Sequence, residues 1–201
     1  MELPVSEETD YLKVLDRTVL SDGWGTLTRY KVGFRRRDGT WQEMVREAYD
    51  RGHGAACLLH NPETDCVLLT RQFRLPVWLS GFDPFMIEAP AGLLEGESPE
   101  ERMRGELIEE TGFEVSSLEH LYDVHMSPGS VTEYLAFFAG TYHVNDQVGD
   151  GGGLQEEGED IEVMHVPLSD ALKMVRSGEI RDAKTIILLQ ELALRKLGPQ
   201  T

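Results

Sequence analysis

Hydrophobic and polar residues alternate along the first quarter of the chain, a pattern that predicts β-strands. The runs YLKVLDRTVL, TLTRYKVGFRR and WQEMVREAYDR are separated by SDGWG and RDGT, and Asp-Gly pairs are typical of turns between antiparallel strands. We therefore expect a hairpin or meander over residues 11 to 50. A sheet this small cannot bury both of its faces alone, so it needs a second surface, from the rest of the chain or from another subunit.

The remainder of the chain mixes strands with helices. Strands are predicted for AACLLH, CVLLTRQFRL, LEHLYDVHM, EYLAFFAGTYHV and IEVMHVPL, whereas LSDALKMVRSG and DAKTIILLQELALRKLG have helical spacing and end at Gly178 and Gly198. Along the chain, the predicted strands and helices do not alternate regularly as they do in a doubly wound sheet. The sequence therefore predicts an α/β or α+β domain, a three-layer sandwich, at residues 51–201, preceded by a β subdomain at residues 1–50.

The stretch SPEERMRGELIEETG predicts a helix from Pro99 to about Thr111. Ser98 is a favourable N-cap, with an acid three residues later, and proline suits the first helical position. Gly112 is a favourable C-cap because glycine adopts the left-handed conformation without strain.

Three acidic residues near the end of this helix, Glu106, Glu109 and Glu110, fall on one face at helical spacing. Like charges at this spacing destabilise a helix, and the helix dipole disfavours anions near its C-terminus. A solvated acidic face is the simplest interpretation. Carboxylates that converge from one helix are also the ligands that Mg²⁺ or Mn²⁺ prefers, so the alternative interpretation is a divalent-metal site.

Composition narrows the classes of partner. The 201-residue chain has 36 acidic and 19 basic residues, a formal net charge of -17, which disfavours binding to a nucleic acid polymer. Cys57 and Cys66 are both flanked by apolar residues, which predicts two buried thiols rather than a disulfide. The N-terminus lacks the pattern of a signal peptide, and no apolar run is long enough to span a membrane. We therefore expect a cytoplasmic protein that has no membrane partner.

The segment AGLLEGESPEERMRGELIEETGF resembles the Nudix box, G-x5-E-x7-R-E-U-x-E-E-x-G-U, in which U is a bulky apolar residue. Two of the nine fixed positions differ. Ala91 stands at the glycine position, with Gly92 one step late, and Gly105 stands at the arginine position, with Arg104 one step early. The sequence leaves open whether Arg104 replaces the missing arginine. The seven positions that agree are Glu97, Glu106, Leu107, Glu109, Glu110, Gly112 and Phe113.

Outside the box, the segments VLSDGW, REAYDRG, LLTRQFR, MSPGSVTE and SGEIRDAKT are similar to the bacterial GDP-mannose hydrolases, a branch close to the ADP-ribose pyrophosphatases. The resemblance covers roughly residues 14 to 190. It implies a Nudix α/β/α sandwich with a mixed sheet, and an antiparallel N-terminal β subdomain exchanged between the subunits of a homodimer. It also implies Mg²⁺-dependent cleavage of GDP-mannose to GMP and mannose 1-phosphate, or alternatively of ADP-ribose to AMP and ribose 5-phosphate.

The resemblance also assigns roles by matching position. The implied metal ligands are the carbonyl of Ala91 and the carboxylates of Glu106, Glu110 and Glu159, and Mn²⁺ is an alternative cation. The implied catalytic residues are Glu159, Glu109 and Glu133. The implied substrate contacts are Trp24, Arg46, Glu47, Arg71, Gly92, Leu93, Glu133 and Lys184. Several of these residues lie in the N-terminal segment, so an exchanged dimer would build each site from two chains.

For several of these residues the sequence allows more than one role. By itself VGDGGGLQEEGED is typical of a flexible solvated loop, and Glu156 and Glu157 compete with Glu159 for the role of ligand or general base. Arg74 is equally consistent with a salt bridge, and a lysine at the position of Lys184 is more often solvent-exposed. Trp24 would either stack on a nucleobase or fill a subunit interface.

Two further classes of function remain open from the sequence. One is a Nudix-like module that binds a nucleotide sugar without cleaving it, which the glycine at the arginine position favours. The other is a structural protein with a solvated acidic helix.

Overall fold

A computed structural model describes residues 8–198 of the chain, apart from the side chain of Glu157. The chain forms two compact units. The first contains the described residues up to His53 together with Ser127–Glu133, and the second contains Gly54–Met126 and the described residues from Tyr134 onward.

The first unit is a three-stranded antiparallel sheet in the order β1-β2-β3. Its strands are β1 (Leu12–Asp22), β2 (Thr26–Arg35) and β3 (Trp41–Asp50), joined by tight turns where the Asp-Gly pairs predict them. The distant segment Ser127–Glu133 joins β3 through backbone hydrogen bonds. The N–H of Tyr49 donates to the carbonyl of Ser130 (2.8 Å), and the N–H of Thr132 donates to the carbonyl of Tyr49 (3.0 Å). The predicted meander is confirmed.

The second unit contains a seven-stranded mixed sheet with the main order β10-β5-β4-β9-β8. β4 and β9 run parallel, whereas the other pairs are antiparallel, with β6 paired to β5 and β7 to β4. The strands are β4 (Gly54–Asn61), β5 (Cys66–Phe73), β6 (Phe85–Glu88), β7 (Ala91–Leu93), β8 (Leu118–Val124), β9 (Leu135–Thr141) and β10 (Glu162–Pro167).

The three longer helices of this unit lie close to the predicted ranges, whereas the first, a helix of 5 residues, was not predicted. The helices are α1 (Leu75–Leu79), α2 (Pro99–Glu106), α3 (Leu168–Ser177) and α4 (Ala183–Lys196). Ser98 accepts the N–H of Glu101 at the start of α2, and Asp182 accepts the N–H of Thr185 at the start of α4. Gly178 adopts the left-handed conformation after α3, as a glycine C-cap requires.

Two hydrophobic clusters lie on opposite faces of the mixed sheet. Successive strand residues point to opposite faces, so Leu58 packs with Leu188 of α4 while Leu59 packs with Met103 of α2. The sheet therefore lies between α2 on one face and α3 and α4 on the other. This arrangement confirms the predicted three-layer sandwich with a mixed sheet.

The two cysteines differ in environment. Cys57 is buried, and burial raises the pKa of its thiol, whereas Cys66 is partly exposed, and neither forms a disulfide. The prediction of two buried thiols is therefore correct for Cys57 only, because Cys66 lies at the start of β5, at the end of the sheet. Within residues 8–198, no helix is long and apolar enough to cross a membrane.

Candidate active site

The acidic helix ends in a π-helical turn, Leu107–Thr111, rather than in a regular α-helical turn. The hydroxyl of Thr111 donates to the carbonyl of Leu107, and Gly112 closes the turn in the left-handed conformation (φ 77°). π-Helical turns are found mostly as single insertions in α-helices, frequently at functional sites. The sequence-based prediction used α-helical spacing as far as Thr111 and therefore missed this turn.

The end of the acidic helix buries two of the three clustered acidic residues and leaves the third partly exposed. Glu106 is 6% exposed and Glu110 is 2% exposed, whereas Glu109 is only partly buried. The backbone N–H of Ala91 donates to Oε2 of Glu110 (3.2 Å). The predicted shared face is thus correct for the pair Glu106 and Glu110, and Glu109 lies at its edge.

The Glu110 carboxyl has an unusual pKa. Burial raises the pKa first, the nearby charge of Glu106 raises it further, and Glu159 adds to the effect, so the pKa reaches about 8. The Ala91 N–H and the more distant Arg74 act in the opposite direction. The site therefore concentrates more negative charge than its local cations offset.

Gly92, not residue 91, is the position in this region that requires glycine. A Cβ at residue 92 would overlap the carboxylate of Glu106, so only glycine allows β7 to pass so close to this side chain. The glycine of the box is therefore present, and the connection from Gly92 to Glu97 is one residue shorter than the strict spacing. The apparent loss of this glycine at Ala91 is a shift by one position.

The arginine that contacts the glutamates is Arg102. Its Nη2 lies 2.6 Å from Oε1 of Glu106, its Nη1 lies 3.6 Å from Oε2 of Glu109, and its Nε donates to the carbonyl of Leu93 (3.1 Å). Sequence reasoning missed this residue, although its i,i+4 spacing to Glu106 was a usable signal.

Arg104 instead donates to Glu100 (2.8 Å) and to the carbonyl of Val115 (2.7 Å). Neither partner is one of the three clustered glutamates, so Arg104 does not occupy the place of the missing box arginine.

The glycine-rich loop packs against the end of the acidic helix. The N–H of Gly152 donates to the carbonyl of Glu110 (2.9 Å), and the N–H of Gly153 donates to the carbonyl of Glu109 (3.0 Å). Gly151 and both of its successors have positive φ, and a Cβ on Gly151 would overlap the backbone of Glu110. The interpretation as a flexible solvated loop is therefore wrong for this part, because its backbone donors satisfy helix-end carbonyls.

Glu159 follows this loop and lies near the buried pair, since its charge contributes to the raised pKa of Glu110. Its Oε2 accepts the N–H of Leu154 (2.9 Å). The competing candidate Glu156 is exposed. Glu159 is thus the loop carboxylate that the structure brings towards Glu110.

A network of buried charges lies on the α4 side of the site. Arg74 donates twice to Glu88 (2.8 and 3.1 Å), and Lys184 contacts both Glu88 and Asp182. Lys184 is only 8% exposed, so the expectation that a lysine here is solvent-exposed is wrong. Arg74 forms a salt bridge with Glu88, which agrees with the salt-bridge interpretation of this arginine. Sequence reasoning missed Glu88, because its cationic partners are distant along the chain.

Arg71 lies beside an open groove of the second unit. Its guanidinium is 5.0 Å from the ring centre of Phe85, and it forms a long ion pair of 3.4 Å with Glu162. The groove has a volume of ≈ 760 Å³ and is also lined by Phe82 and Arg181. A space of this size can accept part of a nucleotide-sized ligand.

Four predicted substrate residues belong to the first unit. Trp24 is 72% exposed, with the Arg51 guanidinium 5.5 Å from its ring centre, and Arg51 also pairs with the buried Glu133. Arg51 thus links Trp24 and Glu133, and sequence reasoning missed it within REAYDRG. The other two residues are engaged on the sheet: Glu47 accepts from Arg29, and Arg46 donates to a backbone carbonyl.

The oxygen donors around Glu110 fit a divalent cation in chemical type, because carboxylates and carbonyls are hard ligands. In the part of the chain from residue 8 to residue 198, no three acidic, histidine or cysteine side chains yet converge in one metal-binding group. Glu106 is turned to Arg102, and Glu159 to the N–H of Leu154. Metal binding here would require Glu159 to turn towards the pair Glu106 and Glu110.

Two known family models match consecutive parts of the chain. Residues 50–189 match the NUDIX domain, and residues 12–49 match the GDP-mannose pyrophosphatase NudK N-terminal domain. The chain belongs to the Nudix family. Nudix hydrolases generally use a divalent metal, which agrees with the oxygen donors at the end of the acidic helix.

Several curated Nudix relatives match almost the whole chain. A GDP-mannose pyrophosphatase of Pectobacterium atrosepticum is 45% identical over 185 residues, which cover 92% of this chain and 95% of the relative. A GDP-mannose pyrophosphatase of Salmonella paratyphi B is 46% identical and covers 87% and 91%, and one of Shigella flexneri serotype 5b is 43% identical and covers 94% and 98%.

A solved structure supports the fold. The crystal structure of an ADP compounds hydrolase superposes with a TM-score of 0.72 and covers 96% of this chain and 99% of the other, at 18% sequence identity. At this identity the similarity establishes the Nudix fold and carries no information on the substrate.

Proposed function

We propose that this protein hydrolyses the diphosphate of a nucleoside diphosphate sugar, GDP-mannose, to GMP and mannose 1-phosphate. The observation that carries the proposal is the buried pair at the end of the Nudix helix, in which Glu106 lies against Gly92 and Glu110 accepts the N–H of Ala91. The substrate follows from relatives that are 43–46% identical over nearly their whole length and are named GDP-mannose pyrophosphatases.

In this proposal the carboxylates of Glu106, Glu110 and Glu159 and the carbonyl of Ala91 would hold Mg²⁺, with Mn²⁺ as an alternative. A divalent cation held there would supply positive charge that stabilises the diphosphate oxygens and would favour deprotonation of the attacking water. A P–O bond of the diphosphate breaks as the water oxygen attacks phosphorus, and a glutamate, Glu159 or Glu109, accepts the water proton.

The remaining residues bind the substrate. Arg71 is suited to a phosphate group, because its planar guanidinium donates hydrogen bonds in pairs. Trp24 offers an exposed ring on which a base can stack. The contacts proposed for the sugar, base and phosphates are Arg46, Glu47, Gly92, Leu93, Glu133 and Lys184.

Replacement of the buried carboxylates tests the site. Glu106→Gln and Glu110→Gln keep the side-chain shape and remove the charge, so we expect Mg²⁺-dependent release of GMP to fall by roughly 100-fold or more in each. Glu101→Gln, an exposed position on the same helix, is the matched control and should retain wild-type activity. Full Mg²⁺-dependent activity in both buried-site variants would contradict the proposal.

The choice of substrate is tested separately. We expect kcat/KM for GDP-mannose to exceed that for ADP-ribose when both are assayed with wild-type protein and Mg²⁺. A higher value for ADP-ribose would keep the reaction class and overturn the substrate. Tight binding of either compound without any product would favour the non-catalytic binding module, whose main support was the glycine at residue 105.

We also propose that the protein is a cytoplasmic homodimer in which the N-terminal sheets are exchanged. Several large apolar side chains of the first unit are exposed, as expected for a sheet that needs a partner surface. They include Leu15, Val19, Leu20, Phe34, Trp41 and Val45. The free thiols of Cys57 and Cys66 are compatible with a reducing compartment.

A further inference from the structure

We propose that Arg102 is the positioning residue for the clustered carboxylates, in the place of the arginine that the Nudix box puts at residue 105. The inference rests on the proposed function, because it concerns how Glu106 and Glu109 are held ready for a cation. It predicts that the chain keeps the function of the box arginine although Gly105 stands at its position.

Three contacts fix the guanidinium of Arg102. It lies 2.6 Å from Glu106 and 3.6 Å from Glu109, and its Nε donates to the carbonyl of Leu93 at 3.1 Å. The side chains of Arg102 and Glu106 are only 16% and 8% exposed. A planar guanidinium holds several acceptors in a fixed relation, so this arrangement orients Glu106 more firmly than a surface ion pair would.

The hydrogen bond from Arg102 to the carbonyl of Leu93 also links the helix to a strand. Leu93 belongs to β7, directly after Gly92, against which the Glu106 carboxylate packs. Arg102 therefore connects the strand to the helix at the point where the two form the site. An exposed ion pair along one helix would not make this connection.

Residue 105 lies next to this arrangement. A Cβ at residue 105 would lie 3.8 Å from Nη1 of Arg102 and 3.8 Å from Oε1 of Glu109. An arginine at residue 105 would therefore begin beside the space that the Arg102 guanidinium occupies. Either an arginine at residue 105 or Arg102 can contact the clustered glutamates from this side of the helix. In this chain Arg102 makes the contact.

Arg104 is excluded from the role by its contacts. It donates to Glu100 and to the carbonyl of Val115. Residues two apart on a helix point about 200° apart, so Arg102 and Arg104 serve different sides of α2. Arg104 is therefore a matched control of the same residue type on the same helix.

Binding of Mn²⁺, followed by the electron paramagnetic resonance signal of the free ion, tests the proposal without relying on turnover. We expect Arg102→Ala to weaken Mn²⁺ binding by roughly tenfold or more, as loss of a group that orients a metal ligand does. Arg104→Ala should stay within about twofold of wild type. Unchanged Mn²⁺ binding in Arg102→Ala would show that Arg102 does not orient the ligands, and tighter binding would show that it competes with the cation. Either result would overturn the proposal.

Relocation of the arginine distinguishes positioning from general support of the fold. The double variant Arg102→Ala with Gly105→Arg should recover most of the lost Mn²⁺ affinity, whereas Arg102→Ala with Gly105→Ala should not. Arg102→Lys, a milder change, should bind Mn²⁺ more tightly than Arg102→Ala. If neither the relocated arginine nor the lysine improves on Arg102→Ala, the role is structural and the proposal is wrong.

The same measurements separate this inference from the proposed function. Wild-type protein that binds no Mn²⁺ would overturn the metal site, and the proposed function with it. Wild-type protein that binds Mn²⁺, with Arg102→Ala equal to it, would overturn the role of Arg102 and leave the proposed function intact.

Discussion

Glu88 is a buried carboxylate that contacts two basic side chains, those of Arg74 and Lys184. It is 3% exposed, and it accepts two hydrogen bonds from Arg74 and one from Lys184. Burial opposes its ionisation, yet Lys184 and Arg74 together lower the pKa of Glu88 to about 2. This pair of contacts connects β6, which leads into the site, with the start of α4.

Because the folded-state pKa of Glu88 is below its value of 4.5 in the unfolded chain, ionised Glu88 stabilises the fold above about pH 4.5. That contribution is lost as the pH falls from about 4.5 to about 2. We expect Glu88→Gln to lower the free energy of unfolding by on the order of 3 kcal/mol at pH 7. The loss should shrink by more than half at pH 3, as measured by urea unfolding at both pH values.

Glu43→Gln is the control for this comparison. Glu43 forms an exposed ion pair with Lys31, and exposed ion pairs contribute little to stability because solvent screens them. Its replacement should change stability little at either pH. An equal loss at pH 7 and pH 3 in Glu88→Gln would contradict the role given to its charge.

At the scale of elements, the acidic helix combines a favourable start with an unfavourable interior. Ser98 and Pro99 begin α2 well, but Gly105 lies in its interior, where glycine destabilises a helix by up to about 1 kcal/mol relative to alanine. The nearest atoms to a Cβ at residue 105 are 3.8 Å away, an ordinary packing distance. The backbone there has no need of glycine.

Gly105→Ala should therefore raise the free energy of unfolding by about 0.5–1 kcal/mol and the Tm by roughly 1–4 °C. Differential scanning calorimetry measures both. Gly112→Ala provides the opposite control, because residue 112 is left-handed and a Cβ there would overlap the carbonyl of Gly149. It should lower the Tm, and a lower Tm in Gly105→Ala as well would contradict the helix-propensity argument.

Much of this element could be predicted from sequence, because its signals are local. The N-cap at Ser98 and the C-cap at Gly112 follow from side chains a few residues apart. The fixed spacing of the box likewise located Glu106 and Glu110. Alternation along the strands similarly identified the sheets.

The remaining features depend on contacts that a linear pattern does not contain. Lys184 is buried because Glu88, far along the chain, faces it. The π-helical turn moves Glu109 to the edge of the face that regular spacing predicts. Arg102 was overlooked because Arg104 lies closer to the expected position, although Arg104 points to another side of the helix.

At the scale of the whole molecule, charge and exposed apolar surface act in opposite directions. The net charge of -17 disfavours association, whereas the exposed apolar side chains of the first unit favour it. Because charge repulsion is screened by salt and apolar burial is not, the apolar term should dominate at physiological ionic strength.

We therefore expect a dimer at micromolar concentration in sedimentation velocity with 0.15 M salt. Val19→Lys, on the exposed part of β1, should shift the protein towards the monomer. Leu197→Lys replaces an even more exposed apolar residue, in the second unit, and should leave the dimer intact. A monomeric wild-type protein under these conditions would contradict the proposed homodimer.

The hydrogen bonds between β3 and Ser127–Glu133 limit how this protein can be divided by genetic engineering. A fragment that begins at Gly54 would still carry this segment, but without Tyr49 the N–H of Thr132 and the carbonyl of Ser130 would lose their partners. A fragment that ends at His53 would lack the segment altogether. A chimera that exchanges the N-terminal sheet with that of a relative should therefore exchange residues 127–133 with it, as two inserts rather than one.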